Sequence, residues 1–277
     1  MSNIAYQAPT LTKTGRRPWS AIRALACGAG LLACLVALPS TAHAFGNMAD
    51  TAINNMMLGT HIPPMNQALM TGVLDEQASS DRSAEDHSAE DHSASFSAQS
   101  SAPLTIRRTP SGPLESIQEE LAATMAADEA TRVQILQGLR SGVVAAEFDE
   151  LLRYNQMDPT DLADGLTAYT VVMWLVANDQ LDGQSDPARL RAVSDQIGPM
   201  FRSTPELQAL SPEQRAVEYE RIAALSLYAI AAYTKFDQEG DRAAKTQLQS
   251  AVQESMQHVG WDLTALDLTH QGFEPRP

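Results

Sequence analysis

Cysteine is almost missing from this chain of 277 residues, and the two that occur, Cys27 and Cys34, both lie before position 45. Removal of that segment would leave no disulfide framework, no thiolate metal site and no thiol nucleophile. Aromatic residues are also scarce, with three Trp, six Tyr and six Phe, which argues against a sugar-stacking groove. Long apolar runs are lacking as well. The longest, Ala24 to Leu38, is short of the roughly 20 residues that a spanning helix needs and contains two glycines. Basic residues number 19 against 34 acids. Such a balance excludes binding to nucleic acid or anionic lipid through a basic surface.

What is present at the start reads as an export signal. Lys13, Arg16, Arg17 and Arg23 form a basic region, Ala24 to Leu38 an apolar one, and Ala42-His43-Ala44 a small-x-small cleavage site. A lipid attachment at Cys34 fits badly, because leucine precedes the small residue and an apolar stretch follows. Arg16-Arg17 followed by Pro18-Trp19 is a poor twin-arginine signal. The expected mature chain starts at Phe45, in the periplasm or outside the cell, without a transmembrane helix. It keeps all 34 acids against the 15 remaining bases, a net charge of −19.

Residues 45–74 are rich in methionine, with Met48, Met56, Met57, Met65 and Met70 around His61. Thioethers and imidazole suit Cu(I), so Met56, Met57, His61, Met65 and Met70 are candidate metal ligands. Methionine is also a common docking and gap-filling residue, and these spacings are irregular. Residues 75–113 read as a disordered acidic, serine-rich linker. Ser83-Ala84-Glu85-Asp86-His87 is repeated at once as Ser88-Ala89-Glu90-Asp91-His92, and large apolar residues are almost lacking until Leu104. His87 and His92 lie among carboxylates, for which linker composition is the better account.

From Leu114 the pattern turns helical, and residues 114–277 are expected to form one all-α bundle of five to seven helices. Leu114, Ile117, Leu121 and Met125 keep a 3.6-residue period. Val133, Leu136, Leu139, Val143, Val144, Phe148, Leu151 and Leu152 continue it, with Gly138 and Gly142 as possible interruptions. Asp158-Pro159-Thr160-Asp161 reads as a helix start, with Asp158 as N-cap. Asp186-Pro187 starts another helix, which Gly198-Pro199 is expected to bend or end. Ser211-Pro212-Glu213-Gln214 is a capping box opening a long helix that stops at Gly240. A last helix runs to Gly260. Val171 to Ala177 and Ile222 to Tyr233 are apolar nearly all round, as two central helices of a bundle would be. Tyr169, Trp174, Leu227 and Tyr233 are the expected core of that pair. No stretch alternates as a strand does.

Asp161-Leu162-Ala163-Asp164, then Ala168-Tyr169, Trp174 and Asn178, is similar to the central helix of an uncharacterised family of exported bacterial proteins. Its pattern is approximately D-x-A-D-x-x-x-A-Y-W-x-x-x-W, and this chain has Thr170 where many members carry an aromatic. Gly260-Trp261-Asp262-Leu263, Leu266, Leu268-Thr269 and Gly272-Phe273 resemble that family's closing motif. The resemblance spans roughly Leu114 to Phe273. It implies export and an all-α domain, and supplies no activity, cofactor or catalytic residue.

Asp161 and Asp164 sit three apart and so share a helix face, which makes them a candidate carboxylate pair for acid–base work or a cation. The alternative is structural: Asp161 complements the helix N-terminus and Asp164 bonds nearby backbone or Tyr169. Glu147, Asp149 and Glu150 read as a solvated helix face. The acidic turns at 179–186 and 237–241 fail as EF-hand loops, because the twelfth position falls on Arg189 or Thr246. No G-x-S-x-G, P-loop, G-x-G-x-x-G or H-E-x-x-H occurs, so no cofactor is indicated. The expectation is a non-enzymatic module that binds an envelope or extracellular protein. Carboxylate catalysis and Cu(I) binding are the alternatives.

Overall fold

A computed structural model describes residues 102–109, 112–126, 128–181 and 186–277. Among these residues lie eight α-helices: α1 (Gly112–Met125), α2 (Glu129–Arg140), α3 (Val143–Tyr154), α4 (Leu162–Ala177), α5 (Pro187–Ser203), α6 (Pro205–Ala209), α7 (Pro212–Glu239) and α8 (Arg242–His258). A 3₁₀ turn (Leu263–Ala265) leads to strands β1 (Leu266–Thr269) and β2 (Gly272–Pro275). The all-α class holds, with a small hairpin added at its end.

The two helices apolar all round lie at the centre. Every residue of α4 is buried, and so is α7 from Tyr219 to Thr234. Tyr169, Trp174, Leu227 and Tyr233 are all within this core. The axes come close at Gly165, where a Cβ would lie 3.0 Å from Tyr219 Cε2 and 3.1 Å from Ile222 Cδ1. Around this pair pack α1 and α3 against α7, α5 against α4, and α8 against both. The period along α1 places Ile117, Leu121 and Met125 inside, whereas Val133 of α2 and Val143 of α3 are exposed.

Several helix ends follow local chemistry. Ser211 accepts from Gln214 N–H while the Gln214 side chain accepts from Ser211 N–H, a complete capping box. Asp186 caps α5, with Pro187 in its first turn. Helix α4 starts three residues later than expected: its N-cap is Asp161, and Asp158 instead accepts from Thr160 N–H in a preceding turn. Helix α5 continues through Gly198-Pro199 to Ser203. A proline inside a helix removes one backbone bond. Here buried Ile197 and Phe201, together with the ion pairs of Arg202, hold the turn beyond it.

The packed region also reaches further upstream than Leu114. Leu104 and Ile106 are buried, and the extended stretch around them forms an antiparallel bridge from Thr105 to Asp161. Residues 1–101, with the leader, the methionine-rich segment and most of the linker, lie outside the described residues.

The hairpin pairs Leu268 with Phe273 and Thr269 with Gly272 across a two-residue loop. Gln196 of α5 clamps its outer edge: Phe273 N–H donates to Gln196 Oε1 (2.7 Å) and Gln196 Nε2 donates to the Phe273 carbonyl (2.9 Å). Gly272 (φ 112°) makes room, since a Cβ there would fall 2.4 Å from Gln196 Oε1. With its N–H and carbonyl both taken by a side chain, Phe273 offers no backbone pairing to another strand.

Candidate functional site

The motif residues of α4 and of the closing segment meet one another. Trp174 Nε1 donates to the Leu266 carbonyl (2.9 Å), and Asn178 Nδ2 donates to the carbonyls of Trp174 (3.0 Å) and Leu263 (3.1 Å). The Phe273 ring packs 6.3 Å from Trp174 and 6.2 Å from Trp261, centroid to centroid. Arg276 then ties Asp267, Asn178 and the Leu266 carbonyl together. Trp174, Asn178, Trp261, Leu263, Leu266 and Phe273 carry the resemblance, and their chemistry is that of a docking seam.

Asp161 and Asp164 lie at the other end of α4. Asp161 Oδ1 accepts from Ala163 N–H and from Leu104 N–H, each at 3.0 Å, and Oδ2 accepts from Arg202 Nε at 2.8 Å. Asp164 Oδ1 accepts from Arg202 Nη2 (2.6 Å) and Oδ2 from Asp158 N–H (2.7 Å). Burial pushes the Asp164 carboxyl above its ordinary value, against the opposing pull of Asp158 N–H and Arg202. The two acids share one guanidinium, and each oxygen holds at least one donor. A general base needs an oxygen turned to substrate. These oxygens are turned to the protein.

A second cluster lies where a solvated face was expected. Asp149 is buried and receives Arg108 in a fork, Nη1 to Oδ2 at 2.7 Å and Nη2 to Oδ1 at 2.6 Å. Tyr219 OH donates to the same Oδ1 at 2.7 Å, and the Arg108 guanidinium lies 4.4 Å from the centre of the Tyr219 ring. Burial, then the bond to Asp149, pushes the Tyr219 phenol well above its usual range. Beside it, buried Glu220 accepts from Gln118 Nε2 at 3.2 Å, and burial raises its carboxyl too. Glu147 is half-buried, and burial first, then the neighbouring Glu150, pushes it up to about 7. Glu150 alone of the three is exposed. Only Glu150 fits a solvated face. Asp149 is buried because α3 turns it towards Tyr219 of α7, where an arginine 41 positions away neutralises it.

A third cluster joins α4, α7 and α8. Tyr233 OH donates to Asp179 Oδ1 (2.6 Å), and Lys245 Nζ lies 2.7 Å from Asp179 and 3.0 Å from Asp237. A tyrosine beside a lysine could serve acid–base chemistry. Burial and the Asp179 bond, however, push this phenol up to about 12, so it stays protonated near neutrality. His258 and His270 are exposed. Among the described residues no group of three or more His, Cys, Asp or Glu side chains is arranged to hold a metal. Met56, Met57, His61, Met65 and Met70 fall outside the described residues.

The fold and these clusters define a class: an all-helical domain with two buried central helices, closed by a C-terminal hairpin and pinned by internal ion pairs. The chain belongs to a family of unknown function, DUF6683, whose model it matches over residues 21–276. That match extends upstream of the motifs and takes in the methionine-rich segment and the linker. No curated protein and no solved structure matches the chain. Among the described residues no helix is long and apolar enough to cross a membrane.

Proposed function

We propose that the protein is an exported, non-enzymatic module whose helical domain displays its N-terminal segment to an envelope or extracellular protein. One observation carries this reading: the acids that sequence alone offers for catalysis, Asp161 and Asp164, spend their oxygens on Arg202, Leu104, Ala163 and Asp158. The basic and apolar leader supports export. Methionine-rich sequences suit varied partners, and the chain that follows residues 45–74 enters the domain at a fixed point, Leu104. The family match over this upstream region fits a role for it.

The test is capture from an envelope fraction with two chains, one complete after Ala44 and one lacking residues 45–101. Both should show the same helical circular dichroism and the same melting temperature. The complete chain should retain a specific partner and the shortened one should lose it. Equal capture by both would overturn the reading.

A further inference from the structure

The stretch from Pro103 to Arg108 is bound as a peptide ligand is bound. Its backbone is extended, with Leu104 and Ile106 buried and Thr105 and Arg107 exposed. Main-chain bonds fix it: Leu162 N–H to the Leu104 carbonyl (3.0 Å), Ile106 N–H to the Thr160 carbonyl (3.0 Å) and Arg107 N–H to the Pro212 carbonyl (2.9 Å). Leu104 N–H reaches Asp161, and the strap adds a short antiparallel bridge to that residue. Two cations complete it, Arg108 on Asp149 and Arg107 on Glu213 at 3.4 Å. Main-chain pairing gives such a segment affinity, and pockets for alternate side chains give it specificity.

The receiving surface is built by α3, the turn before α4 and the start of α7. These bonds therefore do not depend on the covalent path from the strap into α1. Adjacent arginines in a chain of net charge −15 meet acids placed for them. We propose that this groove also accepts residues 103–108 of a second copy of the chain. Reciprocal exchange uses the same surface on both copies and so closes as a two-fold dimer without creating an open edge. It also carries each upstream segment over to the partner copy. The inference concerns the strap and its groove, and stands apart from the reading of residues 45–101 given above.

Within one chain the strap competes at an effective concentration of about a millimolar, so exchange needs protein near that range. The experiment mixes natural-abundance and ¹⁵N-labelled full chains at about that concentration, crosslinks them there before any dilution, and reads the masses of the products. Mixed-mass dimers are expected. Excess peptide Ala102–Thr109 should lower them by about tenfold or more, and a scrambled peptide should not. Monomer alone overturns the proposal. So do dimers indifferent to the peptide, which use another surface. Peptide bound to monomer without any dimer overturns it as well, because the groove then opens for a different occupant.

Discussion

Trp174 and Leu266 are 92 positions apart, yet the indole N–H of one meets the carbonyl of the other at 2.9 Å inside the core. That bond seats the hairpin on α4. Trp174→Phe keeps a ring and removes the donor, and should cost about 1–2 kcal/mol. Trp174→Ala also empties the space beside Phe273 and should cost about 3–5 kcal/mol. Urea midpoints at constant slope measure both. Equal losses from the two variants would mean that the hydrogen bond, rather than the ring, dominates.

Asp149 and Glu150 are neighbours with opposite fates. Asp149→Asn leaves Arg108 and Tyr219 without their carboxylate. It should cost about 2–3 kcal/mol, below the full value of a buried pair because the Arg108 side chain is 32 % exposed. Glu150→Gln should stay within about 0.5 kcal/mol of the parent. Chemical denaturation of the two variants side by side gives the comparison.

Glu147 predicts a pH dependence. Its carboxyl sits near 4.5 when unfolded and about 7 when folded. The fold therefore favours the protonated form. The contribution is fully present below the unfolded value and is lost as pH rises through about 7. The domain should gain about 1–2 kcal/mol between pH 8 and pH 5 from this group, less than full linkage because Glu147 is partly exposed. Glu218 and Glu220, also raised chiefly by burial, act in the same direction. Glu147→Gln should be more stable than the parent at pH 8 and should flatten the slope. An unchanged slope in denaturant titrations at the two pH values would refute this.

Helices α3 and α4 end with non-glycine residues at positive φ, Gln156 (62°) and Asp179 (58°). In each case the next residue bonds back to form a closed C-terminal turn, Met157 N–H to the Leu152 carbonyl and Gln180 N–H to the Leu175 carbonyl. Glycine at Gln156 should add about 1 kcal/mol by relieving the left-handed conformation. Asp179→Gly should show no such gain, because it removes the carboxylate that Tyr233 and Lys245 share. Thermal melts should rise for the first variant and show no rise for the second.

The strap sets a boundary for truncation. A chain beginning at Ala102 should retain the parent's stability, whereas one beginning at Leu114 loses Leu104 and Ile106 from the core. Each buried side chain is worth about 1.5–3 kcal/mol, so the shorter chain should melt clearly lower. Calorimetry on both chains decides it.

Much of this architecture was legible in the sequence because it is local. Ser211-Pro212-Glu213-Gln214, Asp186-Pro187, Gly240 and Gly260 mark helix ends through chemistry confined to one turn. The two apolar helices announced their central place by lacking a polar face. The choice between Asp158 and Asp161 as N-cap was not legible, since either suits the role. Leu104 N–H, from 57 positions upstream, adds to Asp161 a bond that Asp158 does not receive. Asp149 hid within an acidic run for the same reason, its partner being remote. The hairpin escaped notice because strands of four residues are too short for alternation to show. Of the candidate site, the shared face of Asp161 and Asp164 was visible, and Arg202 as their common partner was not.

The bonds that close the domain join its margins to its middle: Leu104 to Asp161, and Leu266 and Phe273 to Trp174. Contacts between such distant positions form late, after the intervening loops have closed. Until the hairpin docks, the Trp174 indole lacks its carbonyl partner and its ring lacks Phe273, so the core is completed only when these margins arrive.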